Sequence, residues 1–136
     1  MDNRIIYCDT REKKPWKFHR SKKRCLKHGD YSITNGVNHV VIERKTVKDL
    51  YLTLSYKRAP KFLDKMRKAC ENLSYVFIFI DGNLSDVYRG CMYTKIPPRI
   101  IINYLVELMG MGVQVVFTGG NKRGAEFAET VLRGLG

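Results

Sequence analysis

The sequence predicts an α/β fold in which helices flank a mixed β-sheet on both faces. Along the second half of the chain, apolar β-branched segments alternate with amphipathic ones, which is typical of parallel strands joined by helical crossovers. In the first half, an Asn-Gly turn signal separates two short strand patterns and indicates an antiparallel hairpin. The 136 residues suffice for a hydrophobic core, so we expect residues 1–136 to form a single domain.

Three short strands are expected in the N-terminal third. They are predicted over residues 4–9, 30–33 and 37–45. The first is apolar and ends in the carboxylate of Asp9, and residues 10–28 after it are expected to form a loop. A tight turn at Asn35-Gly36 joins the other two strands.

Helices and strands alternate after the hairpin. Helices are predicted from Thr46 to about Ser55, from Pro60 onward, from Pro97-Pro98 to about Met111 and from Asn121 to about Arg133, with strands over residues 75–81 and 113–118. Residues 82–95 are expected to be irregular. Apolar faces follow helical spacing at Phe62, Met66, Ala69 and Leu73, and at Phe127, Val131 and Leu135.

The helix from Pro98 to Met111 is apolar around nearly its whole circumference, with Asn103 and Glu107 as the polar residues along its middle. A helix of this kind is buried on two sides. Its second side is covered either by another subunit or by the C-terminal helix, and the sequence favours neither.

The charge of the chain points to a polyanionic partner. The formal net charge is +12, and the segment from Arg11 to Lys27 carries nine Lys or Arg residues against one acid, Glu12. Trp16 and Phe18 interleave with these cations, which suits phosphate neutralisation together with stacking on an unpaired base. The alternative is a solvated, mobile loop, and charge density favours the nucleic-acid contact.

A second basic cluster spans residues 57–68, although a solvated helix face often has this composition. Taken together, the candidate DNA-binding residues are Lys13, Lys14, Lys17, Arg20, Lys22, Lys23, Arg24, Lys27, Arg58 and Lys61.

Several classes of protein are excluded. The longest apolar run, residues 76–80, is far too short to span a membrane, and the N-terminus lacks a signal-peptide pattern. The four cysteines show no zinc-site spacing. We expect an intracellular protein with reduced thiols and no membrane partner, located in the nucleus, the cytoplasm or the nucleoid according to its source.

Asp9, Asp30, Glu43 and Lys45 all fall at strand ends or junctions, where they can converge at one edge of the sheet. Glu43 and Lys45 are two residues apart on a predicted strand, so their side chains point to the same face. A Glu-x-Lys on a strand, or an Asp before a hairpin, usually has no catalytic role, and the conjunction is more informative than either part.

These residue types suit phosphodiester hydrolysis. Carboxylates alone would repel an anionic substrate, whereas a Mg²⁺ between Asp30 and Glu43 makes the site electropositive and activates water. Ligands that are all oxygen suit Mg²⁺ or Mn²⁺ rather than zinc. A lysine beside the metal orients the attacking water or stabilises developing charge.

Two motifs carry a resemblance to a known family. Gly29-Asp30-Tyr31, followed after an interval by Glu43-Arg44-Lys45 and Asp49, resembles the GDxnERKxxxD signature of XPF/Hef-type nucleases, and Asp9-Thr10-Arg11-Glu12 resembles their DxRE element. The pattern belongs to the wider PD-(D/E)xK superfamily. It implies a restriction-endonuclease-like fold with helices on both faces of the sheet.

The resemblance also implies residue roles. Asp30 and Glu43 would hold Mg²⁺ or Mn²⁺, Asp9 would add a ligand or bind a second ion, and Lys45 would be the catalytic lysine. The supporting positions would be Arg11, Glu12, Arg44 and Asp49. For Asp49 there is a second interpretation, as the third residue after a helix cap at Thr46, and we lean toward this structural role.

The implied function is that of a metal-dependent, structure-specific endonuclease acting on branched DNA such as flaps, forks or junctions, in repair and recombination. Two alternatives stay open: a Holliday-junction resolvase acting as a symmetric dimer, and a non-catalytic DNA-binding scaffold. Family members usually carry a tandem helix-hairpin-helix module, which is not expected within these 136 residues, and neither is a helicase domain.

The resemblance further implies a homodimer formed through the C-terminal helices, in agreement with the apolar helix described above. The residues expected at this interface are Ile101, Leu105, Leu108, Phe127 and Val131.

Overall fold

The computed structural model of the chain describes residues 2–120 and 123–136. Within these residues the strands are β1 (Ile6–Asp9), β2 (Ser21–Arg24), β3 (Tyr31–Ile33), β4 (Val40–Thr46), β5 (Tyr75–Asp81) and β6 (Val113–Phe117). The helices in the same residues are α1 (Val47–Thr53), α2 (Ala59–Asn72), α3 (Leu84–Tyr88), α4 (Pro98–Met111) and α5 (Arg123–Leu135). The described strands form one sheet in the order β2-β1-β3-β4-β5-β6.

The sheet is mixed, as the sequence predicts. β3 runs antiparallel to both β1 and β4, and β4, β5 and β6 are mutually parallel. The connection from β4 to β5 passes through α1 and α2, and the connection from β5 to β6 passes through α3 and α4. These are the helical crossovers that parallel neighbours require.

The prediction of a loop over residues 10–28 is wrong for its central part. Ser21–Arg24 forms β2, which pairs in parallel with β1 at the edge of the sheet. All four of its residues are exposed, so this strand has no buried alternating face from which it could be predicted. Charged side chains are also what protects a sheet edge from pairing with another chain.

Two further local predictions need correction. The hairpin does not have a tight turn, because residues 34–39 form a longer turn in which Asn35 adopts a left-handed φ of 65°. The segment over residues 82–95, expected to be irregular, contains α3. Its start is fixed by Asp86, whose side chain accepts the Asn83 backbone N–H at 2.7 Å, while the Asp86 N–H donates to the Asn83 carbonyl at 3.0 Å.

The two faces of the sheet support separate core layers. α1, α2 and α4 cover one face, which includes Val41 and Ile78, and we call this the α2 face. α5 covers the opposite face, which includes Ile42 and Phe79, and we call this the α5 face. The expected face of α2 is confirmed, since Phe62, Met66, Ala69 and Leu73 are all buried.

In α5 the buried positions differ from the predicted ones. Gly124, Ala128 and Leu132 face the core, whereas Phe127 is 49% exposed and Val131 is half-buried. The predicted start at Asn121 lies outside the described residues. Small residues at 124 and 128 let the helix approach the sheet closely, and a search for large apolar residues misses such a face.

The expected interface on α4 is wrong for three residues. Ile101, Leu105 and Leu108 are at most 5% exposed because they pack inside the chain itself. α5 lies on the other face of the sheet, so it does not form the second cover for α4. The outward side of α4 instead carries Val106 and Met109, both more than half exposed. None of the described helices is long and apolar enough to cross a membrane.

Candidate active site at the ends of three strands

The strand register aligns three carboxylates in neighbouring positions. Cys8 pairs with Tyr31, which pairs with Ile42, so the same antiparallel register places Asp9 opposite Asp30 and Asp30 opposite Glu43. Two backbone hydrogen bonds agree with this alignment, from Asp9 N–H to the Asp30 carbonyl at 2.8 Å and from Asp30 N–H to the Ile42 carbonyl at 2.9 Å.

Glu43 lies on the α2 face with both carboxylate oxygens paired. Its side chain is buried, with 4% exposed. Lys45 Nζ lies 3.3 Å from Oε2, and Lys65 Nζ, from α2, lies 3.2 Å from Oε1. The predicted same-face arrangement of Glu43 and Lys45 therefore holds. Two ammonium groups compensate a charge that would otherwise be costly to bury.

Asp30 stands next to Glu43 and has a strongly perturbed acidity. Its Oδ2 accepts the Arg44 N–H at 2.7 Å. Burial and the nearby negative charge of Glu43 raise the pKa of Asp30 to about 7, against an ordinary value of 3.8. A carboxyl whose ionisation is disfavoured by a neighbouring carboxylate belongs to a site that a cation would stabilise.

Asp9 is engaged differently, although its position is adjacent. Arg11 Nε lies 2.8 Å from Oδ2, and the Leu26 N–H donates to Oδ1 at 2.8 Å. Burial opposes ionisation of Asp9, but the hydrogen bonds from Arg11 and Leu26 outweigh it and lower the pKa of this carboxyl. In the described part of the chain, no three acidic, His or Cys side chains converge as a metal site. The geometry thus brings together Asp30 and Glu43, and a ligand role for Asp9 stays a prediction.

Two of the supporting residues, Arg44 and Glu12, belong to a network on the α5 face. Arg44 Nε pairs with Asp81 Oδ2 at 3.0 Å, and its guanidinium lies 4.4 Å from the centroid of the Trp16 ring. The Glu12 carboxylate accepts a hydrogen bond from the buried Tyr31 hydroxyl at 2.8 Å. Arg44 therefore anchors the segment that precedes β2, on the side of the sheet away from Glu43.

This network corrects the expectation that Trp16 and Phe18 stack on bases. The Trp16 ring is stacked on Tyr31 with a centroid distance of 5.0 Å, and Arg44 lies over the same ring. Phe18 meets Tyr31 edge-on at 5.4 Å, and both aromatics are half-buried against the core. Their packing surfaces are already used, so the segment is an ordered cover rather than a free basic loop.

Asp49 supports the structural interpretation and also borders the site. Its backbone N–H donates to the Thr46 hydroxyl at 3.0 Å, which caps α1. Its side chain is exposed and lines an open groove of about 500 Å³ together with Arg11, Glu12 and Arg44. The hydrogen bond of the cap uses the backbone of Asp49, so the carboxylate stays accessible from the groove.

All ten predicted DNA-binding side chains are exposed. Lys13 and Lys14 line the groove that Asp49 borders. Lys22, Lys23 and Arg24 belong to the exposed edge strand β2, where Arg24 lies over the Tyr7 ring. Lys27, Arg58 and Lys61 line a second groove of about 640 Å³, which we call the basic groove. Lys65 also lines this groove and reaches Glu43. Sequence reasoning missed the link because Lys65 contacts a strand residue 22 positions earlier through helix packing alone.

Fold and site together define a restriction-endonuclease-like α/β domain of the XPF nuclease type. The sequence profile described as "ERCC4 domain" matches residues 8–131, so the chain belongs to the ERCC4 domain family. Among curated protein sequences, no significant match is found.

Solved structures agree with the fold. The structure titled "XPF from Aeropyrum pernix" superposes with a TM-score of 0.69 at 20% sequence identity, over 95% of this chain and 63% of that one. The structure titled "XPF from Aeropyrum pernix, complex with DNA" gives a TM-score of 0.70 at 22% identity, over 95% and 62%. The chain therefore spans under two thirds of the length of these relatives.

Proposed function

We propose that this chain is a metal-dependent, structure-specific endonuclease that hydrolyses phosphodiester bonds in branched DNA. The observation that carries the proposal is the pairing of Asp30 and Glu43 on one sheet face, with Lys45 Nζ 3.3 Å from Glu43. Membership of the ERCC4 domain family, whose signature these residues match, supports the same conclusion.

The donor set fits Mg²⁺ or Mn²⁺. Asp30 and Glu43 offer carboxylate oxygens, which hard divalent cations prefer. The mutual repulsion that contributes to the raised pKa of Asp30 would be relieved by a cation between the two groups. A bound cation would supply an electropositive site and a water of lowered pKa. Asp9 would join these ligands only after its oxygens are released from Arg11 and Leu26.

Lys45 is the residue that we assign to the reacting phosphate. Its side chain is 18% exposed and lies over the Phe62 ring, at 5.3 Å from the ring centroid, so its stem is held in place. An ammonium group fixed beside the metal ligands can stabilise negative charge that develops on a phosphate oxygen. The backbone N–H of Arg44, bonded to Asp30 Oδ2, keeps that carboxylate in position beside it.

Charge and exposure support DNA as the substrate. A formal charge of +12 with ten predicted contact residues exposed provides the phosphate neutralisation that dominates affinity for DNA. One of the similar structures is a complex with DNA, which supports the same class of partner. Preference for flaps, forks or junctions is part of the proposal and is decided by the assay below.

We also propose a homodimer, whose contact surface uses exposed residues of α4 and α5 in place of the buried α4 residues predicted from the sequence. Val106 and Met109 on α4 and Phe127 on α5 are exposed apolar side chains. Because α4 and α5 cover opposite faces of the sheet, an interface that uses both helices must cross the β6 edge. Sedimentation equilibrium of the wild type and of Val106→Glu tests this. We expect a dimer that the substitution dissociates, and a wild-type monomer throughout would refute it.

The function is tested by incubating the protein with Mg²⁺ and labelled duplex, flap, fork and four-way junction DNA, beside Asp30→Ala. We expect cleavage of branched DNA alone, and its loss in the variant. Paired symmetric nicks across the four-way junction would favour the resolvase. Tight binding without cleavage in any divalent metal would refute the nuclease and favour the scaffold.

A further inference from the structure

Glu43 has one ammonium partner more than the nuclease signature accounts for. Lys45 comes from the signature itself, whereas Lys65 comes from the middle of α2 and pairs with the other carboxylate oxygen at 3.2 Å. A cation that binds Glu43 needs at least one of these two oxygens. Each oxygen keeps a second lone pair for a metal, but a divalent ion there repels both ammonium groups and favours the departure of one of them.

The two lysines differ in how firmly they are held. Lys45 is 18% exposed, and its ammonium lies over the Phe62 ring. The Lys65 side chain is 48% exposed on the outer part of α2, and its four-carbon stem has room to turn. Lys65 is therefore the partner that leaves at lower cost.

The residues around Lys65 indicate where its ammonium group can bind after it leaves Glu43. The basic groove is lined by Lys27, Arg58, Lys61 and Lys68 together with Lys65, and Asp64 is the acid among its lining residues. Asp64 is already paired with Lys68 at 3.0 Å and with Arg67 at 3.6 Å. The groove thus presents uncompensated positive charge beside Glu43, as a phosphodiester backbone requires.

We propose that Lys65 is an exchangeable counter-ion: it pairs with Glu43 in the metal-free protein, and when a divalent cation takes Glu43 it moves to a phosphate of the DNA strand in the basic groove. This inference rests on the proposed function, because it needs a metal at Glu43 and DNA as the ligand. It couples metal binding to DNA binding through one side chain.

The proposal predicts effects of opposite sign for Lys65→Met. Because the Lys65 ammonium no longer competes for Glu43, the variant should bind Mn²⁺ about two- to five-fold more tightly, as expected for the loss of a half-exposed ion pair. Electron paramagnetic resonance at pH 8 measures this affinity. DNA affinity should fall in Ca²⁺ and stay unchanged in EDTA. The slope of log affinity against log salt should lose about 0.9 in Ca²⁺, which corresponds to one phosphate contact.

Lys61→Met is the matched control, since Lys61 lines the same groove on the same helix one turn earlier. It should weaken DNA binding equally in Ca²⁺ and EDTA and leave Mn²⁺ affinity within about 1.5-fold, because the ammonium groups paired with Glu43 are those of Lys45 and Lys65. Lys65→Arg keeps the charge and should restore DNA affinity in Ca²⁺.

Three results would overturn the proposal. Unchanged or weaker Mn²⁺ binding in Lys65→Met would show that Lys65 does not compete with the metal. Tighter Mn²⁺ binding with unaltered DNA affinity would show that the released Lys65 does not bind a DNA phosphate. A wild type that binds no Mn²⁺ would instead refute the proposed function, and the inference with it. If the wild type binds Mn²⁺ and Glu43→Gln does not, the metal site of the proposed function is present, and the Lys65 variants then test the exchange alone.

Discussion

Replacing Asp30 with Asn should stabilise the metal-free protein above neutral pH. Burial and the charge of Glu43 raise the pKa of Asp30 to about 7. At higher pH the folded state therefore contains an ionised carboxylate in an unfavourable position. The Asn side chain keeps an oxygen that can accept the Arg44 N–H, but it carries no charge.

The size of the effect follows from proton linkage. A carboxyl whose pKa is higher in the folded state than in the unfolded chain stabilises the fold at low pH. That contribution is lost as the pH rises from 3.8 toward 7. A comparison of pH 5 with pH 8 covers the upper part of this range, from pH 5 to about 7, which is about two pH units. At about 1.4 kcal/mol per unit, the wild type should lose roughly 2–3 kcal/mol of its free energy of unfolding through this group.

Urea denaturation at pH 5 and pH 8 in EDTA measures this difference. Unfolding can be followed by fluorescence, because Trp16 is the one tryptophan of the sequence and packs against the core. Asp64→Asn is the control, since Asp64 is 51% exposed on α2 and should leave the wild-type pH dependence intact. Equal losses of stability in the wild type and in Asp30→Asn between the two pH values would refute this effect of Asp30.

Three further tests use substitutions at the α1 cap, at Trp16 and on β2. Thr46→Ala should lower the free energy of unfolding by about 1 kcal/mol in urea denaturation, because α1 loses its cap; a change under about 0.3 kcal/mol would contradict the cap. Trp16→Phe should keep fork-DNA affinity, measured by fluorescence anisotropy, within about two-fold of the wild type. A loss of more than about ten-fold would indicate that Trp16 stacks on a DNA base. Lys22→Ala combined with Arg24→Ala, on the side of β2 that faces Tyr7, should reduce the slope of log DNA affinity against log salt by about 2, and Lys23→Ala alone should reduce it by less than 0.5. A double variant with the wild-type slope would show that the β2 edge does not contact DNA.

The chain elements that the sequence predicted correctly are those with a clear local hydrophobic pattern. β5 is a continuous apolar run whose bounds match the prediction, and alternation in β4 placed Glu43 and Lys45 on one face. By contrast, β2 is exposed at every position, and the segment that leads into it is anchored where Trp16 packs against Arg44. No local pattern encodes such an edge strand.

The site shows the same division between local and distant contacts. Asp30 and Glu43 could be placed together because the hairpin fixes their strands relative to each other. The Lys65–Glu43 pair could not, since it depends on how α2 packs across β4. The α4 interface residues were misassigned because a helix that is apolar all round does not indicate which side its own core covers.

Single-turnover cleavage of fork DNA in Mg²⁺ tests the central claim most directly, namely that the face bearing Asp30, Glu43 and Lys45 hydrolyses DNA. The comparison is between Lys45→Met and Lys48→Met, where Lys48 is an exposed α1 lysine lying over the Tyr93 ring. We predict that Lys45→Met loses about 10²-fold or more in rate with fork binding retained, whereas Lys48→Met cleaves near the wild-type rate. Cleavage by Lys45→Met at the wild-type rate would contradict the account.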